Sequence, residues 1–94
     1  MNPERTSMFY YTYVLQSIKS KLFYTEFTSN LRKRFNQHNN DESTYTKGRG
    51  PFKLIYYEAC LDYNDAAQRE KYPKSGRGKR FVRERLKRFL VRTG

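Results

Sequence analysis

Cysteine is almost absent from this chain of 94 residues. Cys60 stands alone, so an intramolecular disulfide is excluded and nothing in the cysteine usage indicates secretion. No apolar run approaches the length of a membrane span. The opening residues 1–7 are polar and carry both charge signs, unlike a signal peptide. We therefore expect a cytoplasmic protein whose residues 1–8 form a disordered tail.

Aliphatic residues are also scarce. The hydrophobic fraction is 36%, but it includes nine tyrosines and seven phenylalanines, so the core is predicted to consist of a few bulky rings. A chain of this length has room for one domain, expected over residues 9–91, which buries only about 60–65% of its unfolded surface. A core this thin makes a large, deep active-site cavity unexpected.

Acidic residues are few, nine against twenty lysines and arginines, and the net charge is +11. Most of the excess lies at one end: residues 69–94 carry a net charge of +9, whereas residues 1–68 carry +2. Such a field attracts nucleic-acid phosphates, and it also attracts anionic membranes, ribosomes and acidic partners. Charge alone predicts a polyanionic partner without identifying it.

Two runs of β-branched and aromatic residues, 9–15 and 21–27, are joined by a polar segment and predict a β-hairpin. Because side chains alternate along a strand, Tyr24 and Glu26 share one face of the second strand. Tyr13 of the first strand projects from the same side of the sheet as Tyr24, provided that the register pairs those faces.

A helix is predicted over residues 31–38, after possible N-caps in residues 28–30. Arg34 and His38 are four residues apart, so they share one stripe of this helix and can lean back toward the sheet. The polar segment 41–50 that follows is predicted to be a loop.

The rest of the chain completes a small α+β fold. Residues 52–58 predict a third strand of a short antiparallel sheet. A helix over residues 64–72 places Glu70 on its inward face. After a basic turn at 74–78, a last helix is predicted over residues 79–91. The predicted fold is a three-stranded antiparallel sheet flanked by helices.

Five residues are candidates for phosphodiester hydrolysis, which needs an activated water, positive charge near the phosphate and help for the leaving oxygen. A glutamate can hold a metal ion, an arginine can contact phosphate, and tyrosine or histidine can orient water or handle protons. Taken singly, most have a simpler interpretation as packing or solvated residues. The candidates are Tyr13, Tyr24, Arg34, His38 and Glu70.

The order and spacing of these residues resemble the GIY-YIG nuclease family, in particular its small stand-alone bacterial-type members. Two triplets, Tyr11-Thr12-Tyr13 and Tyr24-Thr25-Glu26, precede Arg34, His38 and Glu70 in the family's order. The resemblance implies a GIY-YIG endonuclease-like fold and hydrolysis of DNA phosphodiesters with one divalent cation, Mg²⁺ or Mn²⁺.

The resemblance also implies a role for each candidate. The tyrosine matching Tyr13 or Tyr24 assists the attacking water, and the choice between the two stays open. Arg34 would stabilise the phosphate, and Glu70 would hold the metal. His38 would support Tyr13 and Arg34 or relay a proton.

Three positions depart from the family pattern, and one of them, Tyr11 in place of the first triplet's glycine, often varies in small members. Glu26 stands where the second triplet ends in glycine, and a carboxylate there would repel the substrate or add a metal ligand. Pro73 stands where relatives carry an aliphatic residue, and it disfavours helical geometry at Tyr72. An alternative function is therefore a nucleic-acid-binding module of the same fold with weakened catalysis.

The predicted partner is DNA, with RNA left open, and the predicted protein is a monomer or weak homodimer. No zinc finger or appended domain is present to read sequence, so recognition of DNA shape is expected, in repair or recombination. A membrane-surface role for the basic last helix is less favoured, because its apolar stripe is needed to cover the core. The expected phosphate contacts are Lys47, Arg49, Lys74, Arg77, Lys79 and Arg80.

Overall fold

A three-stranded antiparallel sheet forms the centre of the protein. The computed structural model describes residues 8–72 and 74–93, so residues 1–7 of the expected tail and Pro73 lie outside the described part. The strands are β1 (Tyr10–Ser17), β2 (Phe23–Thr28) and β3 (Phe52–Cys60), in the order β2-β1-β3. With helices packed on it, this sheet confirms the predicted α+β fold.

The register of the hairpin places both candidate tyrosines on one face. Tyr13 pairs with Glu26, and Leu15 pairs with Tyr24, across the antiparallel β1–β2 ladder. Directly paired side chains project from the same face of a sheet. Tyr13, Tyr24 and Glu26 therefore share a face, as the alternation of side chains predicted.

Helix α1 (Leu31–Asn39) covers this face. It begins where predicted, because the Asn30 side chain accepts a hydrogen bond from the backbone N–H of Lys33 at 3.1 Å. Leu31 and Phe35 pack against the central cluster. That cluster is mostly aromatic, as the composition predicted: Tyr13, Leu15, Tyr24 and Phe52.

Helix α2 (Tyr63–Lys71) packs on the opposite face of the sheet. Its buried Ala66 supplies a backbone carbonyl that accepts a hydrogen bond from the Thr12 hydroxyl at 3.1 Å. Tyr13 and Thr12 are neighbours on a strand, so their side chains point to opposite faces. Glu70, near the end of α2, therefore approaches the sheet from the side away from α1.

The C-terminal segment differs from the single helix predicted over 79–91. It forms α3 (Gly76–Arg85) and α4 (Lys87–Thr93), separated by Leu86, whose φ of −111° and ψ of 16° depart from helical values. Helix α3 starts inside the predicted basic turn, because the Ser75 hydroxyl accepts from the Gly78 N–H at 3.0 Å. None of the described helices is long and apolar enough to cross a membrane.

Candidate active site

Tyr13 lies at the centre of the candidate site and is fully buried. Its hydroxyl is 2.8 Å from Glu26 Oε1 and 2.8 Å from His38 Nε2. Burial, together with the hydrogen bond to Glu26 and its charge, raises the pKa of Tyr13 well above the ordinary value. Tyr13 therefore keeps its proton at neutral pH, so it is suited to positioning its neighbours and not to taking a proton from water.

A buried chain of hydrogen bonds runs through His38. Its Nδ1 lies 2.6 Å from the Thr46 hydroxyl, and both residues are almost completely inaccessible. The ionised Glu26 can only accept, so Tyr13 donates to Glu26 and accepts from His38 Nε2–H. In the neutral imidazole, Nδ1 then accepts from Thr46. The partners assign the Nε2–H tautomer to His38.

Arg34 binds Glu26 through two hydrogen bonds. Nε donates to Oε1 at 2.7 Å and Nη2 donates to Oε2 at 3.2 Å, which is the bidentate geometry of a guanidinium on a carboxylate. Both side chains are about three-quarters buried, with exposed fractions of 27% and 24%. Arg34 also donates to two neutral side chains, Gln37 at 2.9 Å and Ser43 at 3.1 Å.

Glu26 serves as the acceptor for the cation and the buried hydroxyl. Partial burial acts to raise its pKa, but the donor groups of His38, Arg34 and Tyr13 that surround the carboxylate outweigh burial and lower the pKa to about 2. Neither expectation for Glu26, repulsion of the substrate or ligation of a metal, describes this arrangement. The carboxylate instead forms a bidentate ion pair with Arg34.

Tyr24 is the candidate tyrosine nearer the surface, although only 9% of it is exposed. Its ring packs edge-on against Phe52 and Tyr45, with centroids 5.6 Å apart in both pairs. Arg49 Nη1 donates to the Tyr24 hydroxyl at 3.4 Å, and the guanidinium carbon lies 5.9 Å from the ring centroid. Tyr24 thus sits beside an exposed cation, at the rim of the buried network.

Glu70 reaches this rim from the far side of β2. Its carboxylate is 3.8 Å from the exposed Lys74 ammonium, which lies 5.9 Å from the centre of the Tyr45 ring. Burial raises the pKa of Tyr45, and the charges of Glu26 and Glu70 raise it further. Both carboxylates therefore act on Tyr45, which packs on Tyr24.

The structure brings four of the five predicted residues together and holds the fifth apart. Tyr13, His38 and Arg34 form one hydrogen-bonded network with Glu26, and Tyr24 adjoins it on the same sheet face. Glu70 makes none of these contacts and is connected to Tyr24 through Lys74 and Tyr45. The candidate site thus extends around the edge strand β2.

The donor set at Glu70 fits a cation held by one carboxylate. Within the described parts of the chain, no three His, Cys, Asp or Glu side chains are grouped to hold a metal ion. Glu70 is partly buried, and its ion pair is with a lysine whose side chain is half exposed. Mg²⁺ commonly binds through one or two carboxylates, with water and substrate phosphates as its other ligands. Glu70 therefore fits a Mg²⁺ ion that is bound through one carboxylate, and it is not part of a preformed set of several protein ligands among the described residues.

The six residues predicted to contact phosphate are all exposed. Two lie in the loop beside Tyr24, one lies beside Glu70, and three lie on the first two turns of α3. In that order they are Lys47 and Arg49, then Lys74, then Arg77, Lys79 and Arg80.

Three site residues were missed because they lie in the loop predicted as polar and solvated. Ser43 and Thr46 are 2% and 0% exposed and contact Arg34 and His38. Tyr45 packs on Tyr24. Hydroxyl side chains in a loop carry no sequence signal of burial.

Comparison with known proteins found a matching family model, similar sequences and a similar solved structure. The sequence model described as the GIY-YIG catalytic domain matches residues 9–85. A UPF0213 protein of Clostridium perfringens is 45% identical over 65 residues, 68% of this chain and 69% of that protein. A UPF0213 protein of Limosilactobacillus reuteri is 35% identical over 88 residues, 90% and 85% of the two chains. The solution NMR structure of a UPF0213 protein from Bacillus halodurans matches with a TM-score of 0.50 and 32% identity, covering 80% of this chain and 82% of that one.

Proposed function

The chain belongs to the GIY-YIG nuclease family, and from that premise we propose that it is a divalent-metal-dependent endonuclease that hydrolyses DNA phosphodiester bonds. The observation that carries the proposal is the position of Tyr24 and Glu70 on the two sides of β2, with the cations Arg49 and Lys74 beside them. Phosphodiester hydrolysis needs a water-orienting group, a metal ligand and positive charge in one place.

The proposed catalytic set is Tyr13, Tyr24, Arg34, His38 and Glu70. Tyr24 orients the attacking water, because it is the tyrosine at the rim beside Arg49, whereas Tyr13 is fully buried. Tyr13 and His38 hold Glu26 and Arg34 in place behind it. Glu70 would hold one Mg²⁺ or Mn²⁺, which supplies positive charge at the phosphate and lowers the pKa of a bound water.

The proposed substrate is DNA recognised by its shape, in repair or recombination in the cytoplasm, with RNA as the competing nucleic acid. All six predicted phosphate contacts are exposed, and two of them, Arg49 and Lys74, lie beside Tyr24 and Glu70. Phosphate contacts carry no sequence information, so binding through these cations supports recognition of DNA by its shape.

Cleavage of a panel of branched, nicked and single-stranded DNAs tests the proposal. Wild-type protein is expected to cut at least one of them with Mg²⁺ and none after chelation with EDTA. Glu70→Gln should lower the rate by on the order of 10²–10³-fold, as loss of a preorganised electrostatic group does. Glu84→Gln, at an exposed glutamate of α3, is the matched control. Cleavage that survives EDTA or Glu70→Gln would refute the proposal.

The Glu26–Arg34 ion pair favours the alternative, a binding module with weakened catalysis, because it occupies the arginine that the family resemblance assigns to phosphate. In that case wild-type protein binds DNA and cuts it weakly or not at all. Glu26→Gly, with and without Pro73→Leu, should then raise cleavage sharply by freeing Arg34. No gain in either variant would count against this alternative.

A further inference from the structure

Arg34 has little capacity left for a phosphate. A guanidinium has five N–H donors, and four hydrogen bonds from Arg34 already go to Glu26, Gln37 and Ser43. The pKa of Glu26, about 2, keeps that carboxylate ionised, so the pair as a whole is neutral at physiological pH. A phosphate would have to displace a bidentate carboxylate to reach Arg34.

Arg49 is placed differently. Its side chain is exposed, and its Nη1 lies 3.4 Å from the Tyr24 hydroxyl. None of the ion pairs formed among the described residues includes Arg49. No ion pair among the described residues therefore neutralises its positive charge, and one hydrogen bond of its side chain, to Tyr24, leaves other N–H donors for a ligand.

The backbone of Arg49 is fixed on both sides. Its N–H donates to the Thr46 carbonyl at 3.0 Å, and its own carbonyl accepts from the Ser17 hydroxyl at 2.8 Å. Thr46 is itself buried against His38. The same loop that completes the buried network thus holds the base of the Arg49 side chain, which limits the cost of ordering the guanidinium over Tyr24.

We propose that Arg49 is the catalytic cation that contacts the scissile phosphate beside Tyr24. This inference rests on the proposed nuclease function. A guanidinium presents paired N–H donors that match two phosphate oxygens. With Nη1 against the Tyr24 oxygen, the remaining donors can bind the phosphate next to the group that orients water. Arg49 then has the phosphate-binding role that the family resemblance implies for Arg34. Arg34 instead holds the Glu26 carboxylate in place.

The first test separates catalysis from binding. kcat and KM are measured with Mg²⁺, on the DNA that wild-type protein cuts best, for Arg49→Ala, Arg49→Lys and the control Arg32→Ala. Arg32 is an exposed arginine of α1 outside the site. Arg49→Ala should lower kcat on the order of a hundredfold with little change in KM, Arg49→Lys should recover part of the loss, and Arg32→Ala should match wild type. Thermal unfolding should show that Arg49→Ala, at an exposed residue, leaves the fold intact.

The second test locates the contact. One nonbridging oxygen of the mapped scissile phosphate is replaced by sulfur, which accepts weaker hydrogen bonds. If Arg49 touches that phosphate, the kcat losses from Arg49→Ala and from sulfur in one stereoisomer are less than additive. Fully additive losses in both stereoisomers overturn the assignment.

The outcomes distinguish the inference from the function on which it rests. If wild-type protein cuts DNA and Arg49→Ala cuts equally fast, or changes KM alone, the assignment of Arg49 is wrong and the nuclease function stands. If Arg34→Lys, measured in the same assay, lowers kcat and Arg49→Ala does not, the phosphate role returns to Arg34. If wild-type protein cuts none of the DNAs, the proposed function falls and the catalytic assignment falls with it.

Discussion

At the scale of single residues, the site is built from polar groups that are buried against one another. Tyr13, His38 and Thr46 are each at most 1% exposed, and every buried side-chain nitrogen or oxygen in the described residues has a hydrogen-bond partner. A fully satisfied network of this kind is rigid, whereas losing one member leaves its neighbours buried without partners. Substitutions inside it should therefore affect stability and activity together.

Glu26→Gln is expected to change how stability depends on pH. The pKa of Glu26 is lowered in the folded protein from 4.5 to about 2. Its ionised form therefore contributes stability that is fully present above about pH 4.5 and is lost as the pH falls toward about 2. Urea unfolding in this window should show a steeper loss of unfolding free energy for wild type than for Glu26→Gln. The exposed Glu42→Gln is the control, and identical slopes for Glu26→Gln and wild type would contradict the prediction.

Thr46→Val should remove the hydrogen bond between His38 and the loop. Valine keeps the shape of threonine but removes the hydroxyl that donates to the buried Nδ1, so we expect a loss of about 1–3 kcal/mol in unfolding free energy. Nitrogen-15 NMR of the imidazole should show the Nε2–H tautomer in wild type and a changed tautomer population in the variant. Thr44→Val, the same substitution at an exposed neighbour, should change neither. An unchanged spectrum for Thr46→Val would disprove the assigned hydrogen bond.

Sequence reasoning at this scale found the candidates but not their connections. Order and spacing selected Tyr13, Arg34 and His38, and these residues do meet in the structure. The partner of Glu26 was not predictable, because it depends on the strand register together with the approach of α1. The contact of Thr46 with His38 was not predictable either, because the path of an irregular loop follows no periodic pattern.

At the scale of elements, the helices begin at side chains that satisfy their free N–H groups. Asn30, Asp62 and Ser75 cap α1, α2 and α3. These residue types are what made the start of α1 predictable. The break between α3 and α4 was not predictable, because Leu86 is an ordinary helix former and continues the apolar stripe.

Asp62→Ala should destabilise the protein through α2. The Asp62 carboxylate accepts from the N–H groups of Asn64 and Asp65 at 2.8 and 3.2 Å. Loss of such a cap typically costs about 0.5–2 kcal/mol, measured here as unfolding free energy in urea. Asp62→Asn keeps a capping oxygen and is the control. Equal losses for the two variants would show that the cap is not the cause.

At the scale of the whole molecule, charge and core composition were predictable, because both are sums over residues. The aromatic content predicted an aromatic core, and the core cluster holds two tyrosines and a phenylalanine among its four members. The concentration of positive charge after residue 68 predicts a phosphate-binding surface, and phosphate binding there stays a prediction. The approach of Glu70 to the site from the opposite face of the sheet was not predictable in this way, because it depends on how the chain folds and not on composition.

DNA affinity should fall steeply with salt, and the cations of α3 should carry part of that dependence. Each phosphate contact contributes about 0.9 to the slope of log affinity against log salt concentration. Neutralising three of these cations should therefore reduce the slope by up to about 2–3, measured by fluorescence anisotropy. A control triple with the same charge change should reduce it less, and equal slopes would mean that only total charge matters. The test triple is Arg77→Gln, Lys79→Gln and Arg80→Gln, and the control triple is Lys19→Gln, Arg32→Gln and Lys71→Gln.

The loop between α1 and β3 constrains which changes in chain length this protein can accept. Ser43 meets Arg34 and Thr46 meets His38, so three residues of loop span about one turn of helix, roughly 6 Å. An insertion between Ser43 and Thr46 would break one of these contacts while leaving the sheet intact. An insertion after the exposed Lys47 would lengthen only the outer turn. Length variation within this short loop would therefore separate proteins that keep the fold from those that also keep the site.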